Sequence, residues 1–166
     1  TFGYKALWKK RRPVMEHPRL IYLIGSLRNP IVPAIGTWLR GKGLAVFDDW
    51  YSAGQIADDS WRDYEHQRGR SYTSALRAPA AVHIFEFDKY WLDMAAALVL
   101  VAPAGKSGHL EFGWGRGQGK PGWVLFPDGE PERWDVMYQF ATDVFFDRED
   151  LLKVLLHFPG ASDANP

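Results

Sequence analysis

Apolar residues in this chain fall into two interleaved patterns. Short unbroken runs occupy residues 19–25 (Arg-Leu-Ile-Tyr-Leu-Ile-Gly), 44–47, 97–102, 123–126 and 143–146. Runs this short, bounded by Gly, Pro or Asp, read as buried strands. Between them, apolar positions recur at helical spacing. Val32, Ile35 and Leu39 share one face of a helix over 33–40, which Gly41 and Gly43 stop. Asp58-Asp59-Ser60 supplies caps for a helix predicted over 58–77. Pro79 suits the first turn of a further helix to about residue 93. A Gly-rich helix over 108–119 follows the third strand, residues 128–139 are irregular, and a helix over 147–157 closes the pattern. Residues 51–57 and 103–107 read as loops.

Strands alternating with helices predict an α/β fold, a parallel sheet covered on both faces in a three-layer sandwich. For five strands the doubly wound order 2-1-3-4-5 is expected. Strands 1 and 3 then flank the switch point, and ligands bind at their carboxyl ends. The loops there are Gly25-Ser26-Leu27-Arg28-Asn29 and Ala104-Gly105-Lys106-Ser107-Gly108. The chain divides into a basic arm (1–18), one domain (19–160) and a small polar tail (161–166).

Composition narrows the function classes. At 166 residues, with 46% hydrophobic and 24% charged, the chain suits one globular domain and excludes a disordered or coiled-coil protein. It contains 0 Cys, which removes disulfides, thiolate zinc sites and a Cys nucleophile. That fits a reducing compartment, and a cytoplasmic location is expected. Lys+Arg (20) equals Asp+Glu (20), and a formal net charge of +0 disfavours nucleic acid as partner. The run Lys9-Lys10-Arg11-Arg12 reads first as a solvated arm. No apolar run approaches the ~18 residues of a membrane span, and no signal-peptide core follows the arm before Pro13.

Two carboxylates stand out. Glu111 is placed in the first turn of the helix after strand 3, where the helix dipole should keep it ionised. An ionised carboxylate at a switch-point crevice can attack an electrophilic carbon; the plainer alternative is a surface Glu that helps its helix start. Asp88 has Ile84, Phe85, Trp91 and Leu92 at its helical neighbour positions, all apolar. A carboxyl set in such a stripe should have a raised pKa, suiting a proton donor; the alternative is a buried Asp tied to backbone amides or an Arg. Together the two would match paired-carboxylate glycosyl chemistry. Ser26, Arg28, Lys106 and Ser107 lie in loops leading into helix N-termini and offer donors to an anionic group; ordinary turn chemistry is the alternative. Trp50, Tyr51 and Trp114 are candidates to stack on a base, or else core residues.

Other motifs fail. Gly105-Lys106-Ser107 resembles the end of a P-loop, but Leu100 stands where that pattern needs Gly. Gln118 and Lys120 break any dinucleotide fingerprint in the glycines from Gly113 to Gly119, which instead suit close helix packing. His17, His66, His83, His109 and His157 lack metal-ligand spacing, and no metal or cofactor is expected. His109 suits a structural or rim role.

From residue 19 to residue 150 the chain resembles the nucleoside 2-deoxyribosyltransferase-like family, which includes deoxynucleoside 5′-monophosphate N-glycosidases. The likeness rests on Ile21-Tyr22-Leu23-Ile24-Gly25-Ser26-Leu27-Arg28-Asn29, Phe87-Asp88 before Trp91-Leu92, Ser107-Gly108-His109-Leu110-Glu111-Phe112-Gly113, Gly119-Lys120-Pro121 and Arg133-Trp134-Asp135-Val136-Met137-Tyr138-Gln139. The resemblance implies a flavodoxin-like fold, with Glu111 as nucleophile and Asp88 as the second acid. It implies that Tyr22 positions the nucleophile and that the turn from Gly25 through Ser26 to Arg28 binds sugar or phosphate. Lys106, Ser107 and Gly108 of the second loop are carried with that turn as substrate-binding positions. It also implies a homo-oligomer, dimer or larger, whose neighbour lends residues such as Met137 or Tyr138. The chain departs from the family at Ala95-Ala96-Ala97 and at Gly105-Lys106, where members often carry Asp. A cationic loop there favours a 5′-phosphate substrate, hence nucleotide hydrolysis over base exchange between nucleosides. A non-catalytic nucleotide-sensing module of the same fold is the further alternative.

Overall fold

Nearly every strand residue in the middle of this chain is sealed from water, and that fixes the architecture. The computed structural model describes residues 19–160. The basic arm, with Lys9–Arg12 and His17, and the tail 161–166 lie outside the described residues. The strands are β1 (Ile21–Ile24), β2 (Val46–Phe47), β3 (Ala97–Val101), β4 (Gly122–Leu125) and β5 (Asp143–Phe145). They form one parallel sheet in the expected order β2-β1-β3-β4-β5. The helices are α1 (Ile31–Gly41), α2 (Ala57–Gln67), α3 (Tyr72–Ala75), α4 (Pro79–Met94), α5 (Lys106–Gly117) and α6 (Arg148–Leu155). Among the described residues no helix is long and apolar enough to cross a membrane.

β1 and β3 are buried at every position because both their faces are covered. Strand periodicity then sorts their side chains. Ile21, Leu23, Val99 and Val101 pack with Val32, Ile35 and Leu39 of α1 and with Leu151 and Leu155 of α6. Tyr22, Ile24, Leu98 and Leu100 point the other way, onto Leu92 of α4 and Phe112 of α5. The result is the expected three layers. Edge strand β5 is short, and its Asp143 is exposed, which keeps the edge from templating another strand.

Local chemistry explains where the elements differ from expectation. The helix expected over 58–77 is two. Gly69 takes a positive φ of 70°, which ends α2, and Ser71 then caps α3 by accepting from Ser74 N. Asp58 and Asp59 are not caps but first-turn residues behind Ile56, and Asp59 spends its charge on Arg28 and Arg62. α1 starts earlier than expected, at Ile31, and carries Pro33 within its first turn, where no donor is needed. The irregular stretch contains a 3-10 turn, Val136–Phe140, capped by the Asp135 carboxylate accepting from Met137 N. A second 3-10 turn, Asp49–Ala53, occupies the start of the predicted loop.

The glycines of α5 pull it onto the sheet at two points. A Cβ on Gly108 would sit 3.0 Å from Ile24 of β1, and one on Gly115 would overlap Leu98 of β3. Gly113 and Gly117 face open space. This close approach brings the body of α5, Glu111 included, over the strand that carries Tyr22.

Candidate active site

Tyr22 is the floor of the site. It is fully buried in the middle of β1, and its ring packs on Phe47 at 5.2 Å, which stacks in turn on Trp91 at 5.0 Å. Its hydroxyl has no hydrogen-bond partner of good geometry among the described residues. Burial raises its pKa, and the charges of Glu111 and Asp88 raise it further. One phenol on β1 thus feels two carboxylates from two different helices.

Glu111 lies in the second turn of α5, not the first. The helix begins at Lys106, and its first turn holds no acid. The dipole argument for an ionised Glu111 therefore fails, since that effect fades beyond the first turn. The carboxyl is instead pushed up to about 7, chiefly by burial and then by the Asp88 charge, while the Tyr22 hydroxyl nearby offsets part of the rise. Asp88 is pushed up to about 6 by burial alone. Among the described residues no Arg or amide pulls its pKa back down, so the tied-Asp alternative finds no partner there. The enclosure differs from the expected stripe. Ile84 and Phe85 are 53% and 62% exposed, while Trp91 and Leu92 on the other side pack into the core. Two carboxyls 23 positions apart in sequence are thus both desolvated, and the charge of Asp88 adds to the rise at Glu111.

The flanking loops are built differently from each other. Gly25 packs against Val32, where a Cβ would not fit. Ser26 Oγ accepts from Arg28 N at 3.1 Å, closing the turn. Arg28 is exposed and lies 3.4 Å from Asp59. In the second loop Lys106 and Ser107 are exposed at the start of α5, whereas Gly108 is buried in the packing described above. Tyr138 is half-buried; its ring meets Phe126 edge-on at 5.4 Å, and its hydroxyl lies 3.1 Å from His109 Nε2. His109 Nδ1 is 2.8 Å from the Gly105 carbonyl. A carbonyl only accepts, so Nδ1 carries the proton and Nε2 can accept from Tyr138. Tyr138 and His109 together brace the second loop within one chain. Met137 is exposed.

Two residues escaped the sequence reading. Asn29 is buried and places Nδ2 3.5 Å from both the Ala102 and Pro103 carbonyls, while its Oδ1 accepts from Ile31 N. It ties the first loop to the end of β3 and caps the approach to α1. The only cue was an Asn directly before Pro30 at a strand-to-helix junction. Asp93 is the second: its Oδ1 accepts from both Trp114 Nε1 and Gln118 Nε2 at 2.9 Å. The stacking candidates are largely committed elsewhere. Trp50 donates to the Leu23 carbonyl and packs on the core, Tyr51 lies edge-on against Trp50, and Trp114 donates to Asp93. Among the described residues no three His, Asp or Glu side chains gather as a metal ion would require.

No protein-family model matches the chain, and no curated protein matches it in sequence. Among solved structures, the fold is similar to that of the 2-deoxyribosyltransferase of the psychrotolerant bacterium Bacillus psychrosaccharolyticus. The TM-score is 0.55 at 18% identity, over 84% of this chain and 98% of that chain. By its sheet order and by this likeness, the chain has a doubly wound, flavodoxin-like α/β fold that it shares with that enzyme.

Proposed function

We propose that the protein is an enzyme of N-glycosidic bonds, acting on a nucleoside or nucleotide. The observation that carries this reading is the coupled set of Tyr22, Asp88 and Glu111 beside the β1/β3 switch point. The fold likeness to a 2-deoxyribosyltransferase supports it. A Glu111 oxygen attacks C1′ of the sugar as the C1′–N bond breaks. The base leaves with the bonding pair and takes a proton from Asp88. Asp88, now ionised, removes a proton from water or an acceptor base, which attacks C1′ and frees Glu111 with net retention. Tyr22 orients the Glu111 carboxyl. No step calls on a cofactor.

Hydrolysis of a nucleoside 5′-monophosphate is the favoured form of this reaction. Arg28 and Lys106 offer exposed cations, and Ser26 and Ser107 hydroxyls, on the two loops that flank the switch point. The active unit is a homo-oligomer. Val82, Ile84, Phe85 and Phe87 of α4 and Leu110 and Trp114 of α5 are all exposed apolar side chains, a larger display than a lone soluble subunit keeps.

Product analysis tests the reading. The protein is incubated with deoxynucleoside 5′-monophosphates, with and without a free acceptor base. Released base plus sugar phosphate is the expected result. An exchanged base means transfer, and binding without turnover means a sensing module and overturns the enzyme reading. The same assay reads pH dependence. Two interacting carboxyls lose protons in two steps that belong to the pair. The working form holds one proton, with Glu111 ionised and Asp88 protonated; because Glu111 holds its proton more tightly than Asp88, this is the minor of the two singly protonated forms, and the reaction draws on that smaller population. kcat/KM should therefore trace a narrow bell, with an acid limb near about 6 and an alkaline limb near about 7. A rate independent of pH between 5 and 9 would exclude the carboxyl pair.

A further inference from the structure

The two proposed reacting carboxyls sit on different helices, so their separation depends on how α4 and α5 are held. Core packing holds α4 chiefly near its C-terminal end: of its 16 residues only Leu92 is buried, with Trp91 partly buried beside it against the same core. What joins the helices is a polar cluster at their C-terminal ends. Glu111, Trp114 and Gln118 follow one another at spacings of three and four and so share a face of α5. The second and third of these both donate to Asp93 Oδ1 on α4, each at 2.9 Å. Lys89, one turn back on α4, salt-bridges Asp93 Oδ2, and its Nζ lies 5.0 Å from the centre of the Trp114 ring. Lys120, just beyond α5, donates to the Leu92 and Asp93 carbonyls at the C-terminus of α4. A cation there satisfies carbonyls that the helix itself leaves unpaired.

We propose that Asp93 is a positioning residue, a clasp that sets the register of α4 against α5 and thereby the placement of Asp88 relative to Glu111. The arrangement suits a fixed anchor. Burial works against its charge, but the bonds from Lys89, Trp114 and Gln118 hold the Asp93 carboxyl down to about 2, so it stays ionised wherever the protein is active. Its acceptor is shared by two donors one helical turn apart on α5. That geometry resists both sliding along the helix axis and rotation about it, whereas a single bond would permit one of them. Trp114 is half-exposed, so its indole is held by this bond and by Lys89 rather than by the core.

This inference rests on the two-carboxyl reading, but its test needs no substrate. The Glu111 carboxyl is followed by NMR titration in the full chain. Asp88→Asn should lower its midpoint, because a neighbouring negative charge is gone. The same Asp88→Asn change is then made in Asp93→Ala and in Asp93→Asn. In the alanine background the lowering should shrink to less than about half; in the asparagine background it should return, since an Asn oxygen can still accept from Trp114 and Gln118. Gln118→Ala, which removes one donor and spares Asp93, serves if Asp93→Ala does not fold, and should also weaken the coupling. A merely stabilising role would lower the melting temperature and leave the coupling intact. An unchanged coupling in folded Asp93→Ala or Gln118→Ala, or no recovery in Asp93→Asn, overturns the clasp. Failure of the wild-type protein to cleave or exchange any nucleoside would instead remove the enzymatic reading and leave this titration result standing.

Discussion

Glu111→Ala lowers the rate of N-glycosidic cleavage by at least about three orders of magnitude, or about 4 kcal/mol of barrier. The size follows from what the side chain is asked to do. Alanine leaves no oxygen to bond C1′, so the two-step route closes and only a direct attack by water remains. Asp88 and the loop donors survive the change, so substrate binding should weaken far less than turnover. kcat and KM measured together on the purified variant check this, and circular dichroism confirms the fold. Near-wild-type kcat would remove Glu111 from the chemistry. Alanine also removes a carboxyl whose ionisation burial penalises, so the substitution carries a stability effect of its own that the fold check must separate from the chemistry.

Removing the charge of Glu111 while keeping its volume produces the second large effect. Glu111→Gln stabilises the protein at pH 8 by roughly 2–3 kcal/mol, discounted for the part of the side chain that water still reaches. The carboxyl rises from its ordinary 4.5 in the unfolded chain to about 7 in the folded one. The folded state therefore holds a proton that the unfolded state gives up between those values, and stability falls as pH rises through that window. Glutamine stays neutral and escapes the loss. Below about pH 4 both states of the wild type are protonated, and the two proteins should melt alike. Above about pH 7 the variant should melt roughly 5–10 °C higher. Thermal scans across pH decide it: equal melting temperatures at pH 8 would mean that Glu111 is not desolvated in the folded protein. The variant is expected to be more stable and far less active, the trade that desolvated reacting groups impose.

Strand positions were legible because β1 and β3 bury both faces, so their apolar runs have no polar interruption to confuse with a helix. The sheet order followed from the alternation of elements, and the two switch-point loops followed from the order. Asp88 and Glu111 were singled out in the sequence on arguments that the structure changes, a stripe that is half exposed and a first-turn position that Glu111 does not hold; what links them in the structure is the effect of the Asp88 charge on the buried Glu111 carboxyl. What failed was local bond geometry. Lys106 and Ser107 were read as loop, which put Glu111 one turn too early and attached the wrong electrostatics to it. Gly69 looked no different from a glycine tolerated inside a helix, since only its positive φ reveals the break between α2 and α3. Asn29 and Asp93 were invisible for another reason. Apart from the local Lys89–Asp93 pair, the contacts that matter reach far along the chain: to the end of β3 for Asn29, to Trp114 and Gln118 for Asp93. No local pattern encodes such a pairing.

The alternation of side chains along β1 carries a consequence for how this chain can change. Tyr22 meets α4 and α5 only because it has even parity in a strand whose odd members, Ile21 and Leu23, serve the opposite layer. A one-residue slip of β1 against β3, where Tyr22 now stands opposite Leu98, would turn the phenol toward α1 and present Ile21 or Leu23 to the two acids, so the pairing of these two strands is what keeps a phenol rather than an aliphatic side chain beneath the carboxyls.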